Sequence, residues 1–289
     1  MYIMTELYYN ASNFIVSNGF IRNPERYYLE EYFAQKPQDN ATSVPTLSDN
    51  NATNTISINN AIIVNKNFEI LGTSVSNDGV TFSVDDAGIV LQTNGAANDQ
   101  VIVLPHLIAN QSAWTNTKWG TENQVEWDCA IKTGALIADT AFWAGFKSSI
   151  GPTIATDDNQ AYFIFSQVDD VNTGTLTTNK NLHFVYSIDG TDYVTDLGLQ
   201  VAVNSQYRLK IRIDSIRKVS VFVNETQYGL TQTTGTTGIV ETVTNNKSLA
   251  LENDRDLKPY VGVQALANNV KQITLSYEKI SRHILDPTV

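Results

Sequence analysis

Glu126 and Asp128 stand one residue apart in Val125-Glu126-Trp127-Asp128-Cys129. On an extended strand that spacing puts both carboxylates on one face. Paired carboxylates are what glycoside hydrolysis uses, a nucleophile and an acid/base about 5 to 5.5 Å apart in the retaining case. Val125, Trp127, Cys129 and Ile131 then share the opposite face, which equally suits a half-buried strand whose acids simply meet solvent. A second constellation lies nearby. Trp114 and Trp119 stand in the segment 110–123 among Gln111, Asn116 and other amide side chains. An exposed indole stacks on a sugar ring while amides bond its hydroxyls, although closing the end of a fold is the commoner fate of a tryptophan.

Metal and nucleophile chemistry has less to work with. His106, His183 and His283 are far apart and Cys129 is the only cysteine, so no zinc-ligand spacing and no intrachain disulfide arises. No cofactor is expected. Asp157-Asp158-Asn159 and Asp169-Asp170 carry oxygen ligands that suit Ca2+, but without EF-hand spacing.

The elements that must position these groups read as strands. From Phe68 onward, runs rich in Val, Ile, Thr and aromatics alternate with turn signals, at 80–84, 89–93, 100–104, 124–131, 141–147, 161–167, 182–188, 193–197, 207–214, 218–223, 260–266 and 271–280. No long helix interrupts them, which argues against a parallel α/β sheet. Asp189-Gly190 is a favoured two-residue turn, so its flanking runs should form an antiparallel hairpin. Leu209, Ile211 and Ile213 alternate with Arg208, Lys210 and Arg212, giving one core face and one basic ladder facing water or an interface. Trp127 and Trp143 fall inside such runs and are assigned to the core. The expected fold is all-β, a two-sheet antiparallel jelly-roll sandwich with an N-terminal arm.

The arm, 1–60, differs in texture from the sandwich domain, 61–289. Asn23 suits a helix cap, Pro24 its first turn, Glu25 the positive end of its dipole, and Pro37 its stop, which predicts a short helix over 24–35. Tyr28, Leu29, Tyr32 and Phe33 then share one face, to be buried against the sandwich or against another chain. The Asn- and Thr-rich stretch 38–54 reads as an extended linker, and 55–65 fits neither helical nor strand period.

The net charge of -11 argues against a nucleic-acid groove, which needs concentrated Lys and Arg. No run of 18 apolar residues exists to span a membrane as a helix. The first twenty residues lack a basic and then apolar run, so no signal peptide is expected and synthesis is placed in the cytoplasm. The Asn-X-Ser/Thr triplets at Asn40, Asn51, Asn110, Asn224 and Asn246 are then incidental.

Tyr207-Arg208-Leu209-Lys210-Ile211-Arg212-Ile213-Asp214, followed by Val219-Ser220-Val221-Phe222-Val223-Asn224, resembles paired strands of concanavalin-like lectin and glucanase domains. Laminarinase-like members carry Glu-x-Asp-x-x-Glu on one strand; here the last position is Ile131, so the resemblance implies a non-enzymatic chain. Ile70-Leu71-Gly72-Thr73, Pro259-Tyr260-Val261-Gly262-Val263-Gln264-Ala265-Leu266 and the run from Ile273 to Arg282 are similar to jelly-roll virion proteins of marine tailed bacteriophages. That likeness implies a virion component, a capsid decoration or cement protein, partnered by capsid or tail proteins and by further copies of itself. Tyr28, Leu29, Tyr32 and Phe33 would be its docking face. The alternative is a carbohydrate-binding module on a tail or fibre, holding a host glycan with Trp114, Trp119, Asn116 and Gln111.

Overall fold

The computed structural model describes residues 15–17, 20–22, 25–34, 37–39, 65–73, 79–105, 119–148, 157–166, 180–239 and 246–284. Nineteen strands form among them. They are β1 (Ile15–Ser17), β2 (Phe20–Arg22), β3 (Arg26–Glu31), β4 (Pro37–Asp39), β5 (Asn65–Gly72), β6 (Gly79–Phe82), β7 (Ile89–Gln92), β8 (Gln100–Pro105), β9 (Glu126–Thr133) and β10 (Thr140–Lys147). The rest are β11 (Gln160–Ser166), β12 (Asn181–Ile188), β13 (Thr191–Gln200), β14 (Gln206–Ile213), β15 (Val219–Val223), β16 (Thr226–Tyr228), β17 (Gly235–Ile239), β18 (Lys258–Ala265) and β19 (Gln272–His283).

Two sheets stack face to face. One runs β17-β13-β12-β11-β10-β18-β8-β5-β4, the other β16-β15-β14-β9-β19-β7-β6 with β3 also on β19. Ladders are antiparallel except at the two edges of the nine-stranded sheet, where β17 and β4 pair in parallel. All twelve runs expected as strands are strands, because their period-2 alternation matches a pleated surface buried on one side. The Asp189-Gly190 hairpin joins β12 to β13, with both residues at positive φ, 48° and 76°. Gly190→Ala should cost about 1 kcal/mol in a urea melt, since alanine resists that backbone conformation.

The inner faces form one continuous core. Phe68, Val103, Phe146, Phe163, Phe184 and Val261 come from the nine-stranded sheet, and Trp127, Ile131, Leu209, Ile211, Val221 and Leu275 from the other. The outer face of the nine-stranded sheet is buried too, with a second cluster of Leu71, Ile102, Leu104, Trp143, Tyr162, Ile164, Val185, Val194 and Tyr260. Its central strands therefore read as continuous apolar runs rather than alternating ones.

The helix expected over 24–35 is instead strand β3, followed by a turn. Strand β19 is twelve residues long, and β7 pairs only with 272–275, so 278–283 would leave an open edge of unpaired N–H and C=O groups. Strand β3 fills that edge through six residue pairs, from Glu278↔Glu31 to His283↔Arg26. A helix of two to three turns is marginal in water, and a ready ladder outcompetes it. Arg26 fixes the strand's start, its Nη2 donating to Gln124 O at 2.7 Å and Ser281 Oγ at 3.0 Å. Within the expected linker, Gln38 and Asp39 belong to β4, and 40–54 lies outside the described residues.

Candidate functional site

The strands around β9 bring the acidic pair into a patterned surface. Glu126 and Asp128 face outward while Trp127, Cys129 and Ile131 point into the core. On one side β14 sets Lys210 opposite Asp128 and Arg212 opposite Glu126. On the other, β19 sets Lys279 opposite Asp128 and Ser281 opposite Glu126. Strand β3 completes the rows, with Glu30 opposite Lys279 and Tyr28 opposite Ser281. One row thus reads Lys210, Asp128, Lys279, Glu30, alternating in charge across four strands, an arrangement that favours this register over a slipped one.

Between these side chains lies an open groove of about 140 Å³ lined by Tyr28, Glu30, Glu126, Asp128, Lys210, Lys279, Ile280 and Ser281. Its polar groups are held in place. Lys210 Nζ is 3.3 Å and Arg212 Nε 3.1 Å from Glu126. Arg208 Nη2 is 3.1 Å from Asp128 Oδ2, and Tyr277 OH donates to Asp128 Oδ1 at 2.5 Å. Lys279 Nζ sits over two rings, 5.1 Å from the centroid of Tyr32 and 4.9 Å from that of Tyr277.

The electrostatics follow from these contacts. Burial pushes the Glu126 carboxyl up, but Lys210, Arg212 and Arg26 outweigh it and hold the group below its ordinary range. Glu126 is therefore ionised at neutral pH and has no proton to donate to a leaving group. Burial and the adjoining Asp128 push the Tyr277 phenol up, so it stays a hydrogen-bond donor. The third position of the acidic motif, Ile131, is buried in the core. What the groove offers is a fixed array of donors and acceptors beside aromatic faces.

The other residues expected to act are dispersed. Trp119 is 2% exposed, stacked on Tyr27 with centroids 6.2 Å apart, and belongs to the hydrophobic core. It is not an exposed sugar platform: its segment is anchored by Leu257 N donating to Trp119 O and by the Gly120↔Asp256 bridge. Trp114, Asn116 and Gln111 lie outside the described residues. Of the proposed docking face, Leu29 packs against the core and Phe33 is buried in it, Tyr28 lines the groove, and Tyr32 is 48% exposed beside it. Strand geometry splits the helical stripe, because alternate residues face opposite ways.

Asp157 Oδ2 accepts from Ser148 N at 3.0 Å and Asp158 O from Gly190 N at 3.0 Å, so both residues serve to fix loops. Among the described residues no three His, Cys, Asp or Glu side chains converge for a metal ion. Burial pushes the Cys129 thiol well up, which leaves it a packing side chain. Strand alternation could have flagged Tyr277, Lys279 and Glu30 as outward-facing, but their meeting with β9 needs the strand order, which no local pattern carries.

No protein-family model matches the chain, and no curated protein matches it. Among solved structures, a protein of unknown function from Shewanella oneidensis is similar at 13% identity, over 89% of this chain and 87% of that one, with a TM-score of 0.48. A family 16 glycoside hydrolase endo-glucanase from Bacteroides ovatus is similar at 6% identity, over 75% and 96%, with a TM-score of 0.45. Carbohydrate-binding module CBM66 from Bacillus subtilis is similar at 9% identity, over 69% and 89%, with a TM-score of 0.39. At these values the likeness concerns the concanavalin-like sandwich architecture alone.

Proposed function

We propose that this chain binds a neutral glycan in the groove over β9, β14, β19 and β3. One observation carries the reading: an open depression where Tyr28 adjoins carboxylates and ammonium groups already held by ion pairs and hydrogen bonds, with Lys279 seated over the rings of Tyr32 and Tyr277. Sugars are recognised by apolar ring faces set against planar, multivalent hydrogen-bonding groups, and pre-ordered groups lose little entropy on binding. The lining charges nearly balance, Lys210 and Lys279 against Glu30, Glu126 and Asp128, with Arg208 and Arg212 closing the network. Such a surface suits hydroxyls better than a charged polymer. Its volume takes about one ring, so a longer glycan would extend into solvent.

The capsid-decoration role drew on a free helical arm, and with Leu29 and Phe33 packed into the chain's own sandwich that docking face loses its main apolar anchors. Glycan recognition has the better support. In the virion setting that the sequence resemblance implies, the place for it would be a tail or fibre, where several copies raise a weak single-site affinity through avidity.

A glycan array followed by titration tests this. Tyr28→Ala and Asp128→Asn should each weaken binding at least tenfold, about 1.4 kcal/mol, while raising salt should change it little. An array without a hit, or hits that both variants retain, overturns the reading.

A further inference from the structure

Strand β3 supplies two of the groove's lining residues, Tyr28 and Glu30. Among the described residues it pairs with β19 alone, whereas β9, β14 and β19 each have partners on both sides. On its inward face Tyr27 stacks on Trp119 and Leu29 packs on the core. Glu31 follows on that same face by strand alternation and stands directly opposite Glu278 of β19. Two carboxyl groups thus meet across the one ladder that holds β3 in place, a pairing that destabilises a sheet when both are charged.

Glu278 is fully buried, with Trp127 Nε1 donating to its Oε1 at 2.7 Å and no hydrogen-bond partner for its Oε2. Its register partner on β9 is Cys129, whose thiol burial pushes well up, so it stays neutral. Across the core, β10 presents Phe146, which packs on Trp127, and β5 presents Phe68, which packs on Phe33. Among the described residues, the charged side chain that acts on Glu278 is Glu31. Ionised in place, Glu278 would be a buried charge with one bonded oxygen and a like charge opposite. Its way to water is sideways: β7 pairs only with 272–275, so beside 278 the edge of the sandwich is closed by β3 and by Phe33 just after it.

We propose that β3 is a pH-operated latch on the groove: ionisation of Glu278 opposite Glu31 releases β3 from β19, and Tyr28 and Glu30 leave the groove with it. The effect on glycan binding rests on the reading of the groove given above; the release of the strand does not. Burial and Glu31 push the Glu278 carboxyl from an ordinary 4.5 up to about 8, with the Trp127 hydrogen bond working against them. An acid raised in the folded state keeps its proton through neutral pH and loses it as pH rises through about 8, so the latch is closed below that value and opens above it. The interval between the two values amounts to a roughly thousandfold preference of the ionised carboxylate for water. It acts against an edge ladder of six pairs, and such elements open at a fraction of the global stability.

Hydrogen–deuterium exchange of the intact chain at pH 6.5 and pH 9 tests the release without any glycan, each rate being divided by the intrinsic rate at that pH. The β3 amides that bond β19 should be protected at pH 6.5 and exchange within about tenfold of the intrinsic rate at pH 9, while the amides of β12 stay protected by about a thousandfold or more. Glu278→Gln should keep β3 protected at pH 9, which also separates the effect from Lys147 of β10, a residue of the other sheet that burial pulls down to about 8. Glu31→Gln removes the opposing carboxyl and keeps an acceptor for Phe33 N, so it should lessen the loss of protection, and it serves if Glu278→Gln fails to fold. In parallel, affinity for the strongest neutral glycan of the array should fall at least about tenfold from pH 6.5 to pH 9 in the parent and hold in Glu278→Gln. Release of β3 with no glycan bound at either pH upholds the latch and removes the glycan reading; release with unchanged affinity overturns its control of the groove. Protection of β3 that persists at pH 9, or that is lost equally in the variants, overturns the latch.

Discussion

Glu278→Gln should stabilise the protein at pH 7 by up to about 3 kcal/mol and flatten its stability between about pH 4.5 and pH 8. Glu278 is fully buried between the sheets, where Trp127 Nε1 donates to its Oε1 at 2.7 Å and its Oε2 has no partner. Burial pushes this carboxyl from an ordinary value of 4.5 up to about 8; the Trp127 hydrogen bond works against the shift and the nearby Glu31 adds to it. A raised acid binds its proton more tightly in the folded state. Below pH 4.5 both states are protonated and no penalty exists. From there to pH 8 the unfolded chain ionises while the folded one does not, and stability falls by about 1.4 kcal/mol per pH unit. Glutamine cannot ionise, keeps an acceptor for Trp127, and leaves one buried polar group unpaired just as the acid does. Urea melts at pH 5, 7 and 8.5 measure this, and parallel curves for parent and variant would refute it.

Phe33→Ala should destabilise the chain by about 3 to 5 kcal/mol, while Tyr32→Ala one residue earlier should stay within about 0.5 kcal/mol. Phe33 is 1% exposed and meets Phe68 of β5 edge-on at 5.3 Å, whereas Tyr32 is half-exposed. The chain turns inward here through a positive φ of 52° at Phe33, whose N–H donates to Glu31 Oε1 at 2.7 Å. If 24–35 were an arm reserved for neighbours, both variants would leave the isolated chain equally stable.

These two residues also show how far the sequence could be read. The sandwich was legible because β9, β12, β14, β15, β18 and β19 carry alternation that only a half-buried or fully buried strand explains, and because Asp189-Gly190 dictates its own hairpin. Strand β3 was not. Its cap and stop signals are helical, and what overrides them is the open edge of β19, some 250 positions away in sequence. The groove was legible in part: the acidic pair and the basic ladder of β14 stood out locally, but their mutual neutralisation depends on β14 and β19 flanking β9.

The most direct test of the glycan groove is amide chemical-shift mapping of the chain titrated with the strongest neutral glycan from the array. Shifts gathered on Glu30, Asp128, Lys210 and Lys279 are predicted; shifts confined to other surfaces, with those four amides unmoved at saturation, would contradict it.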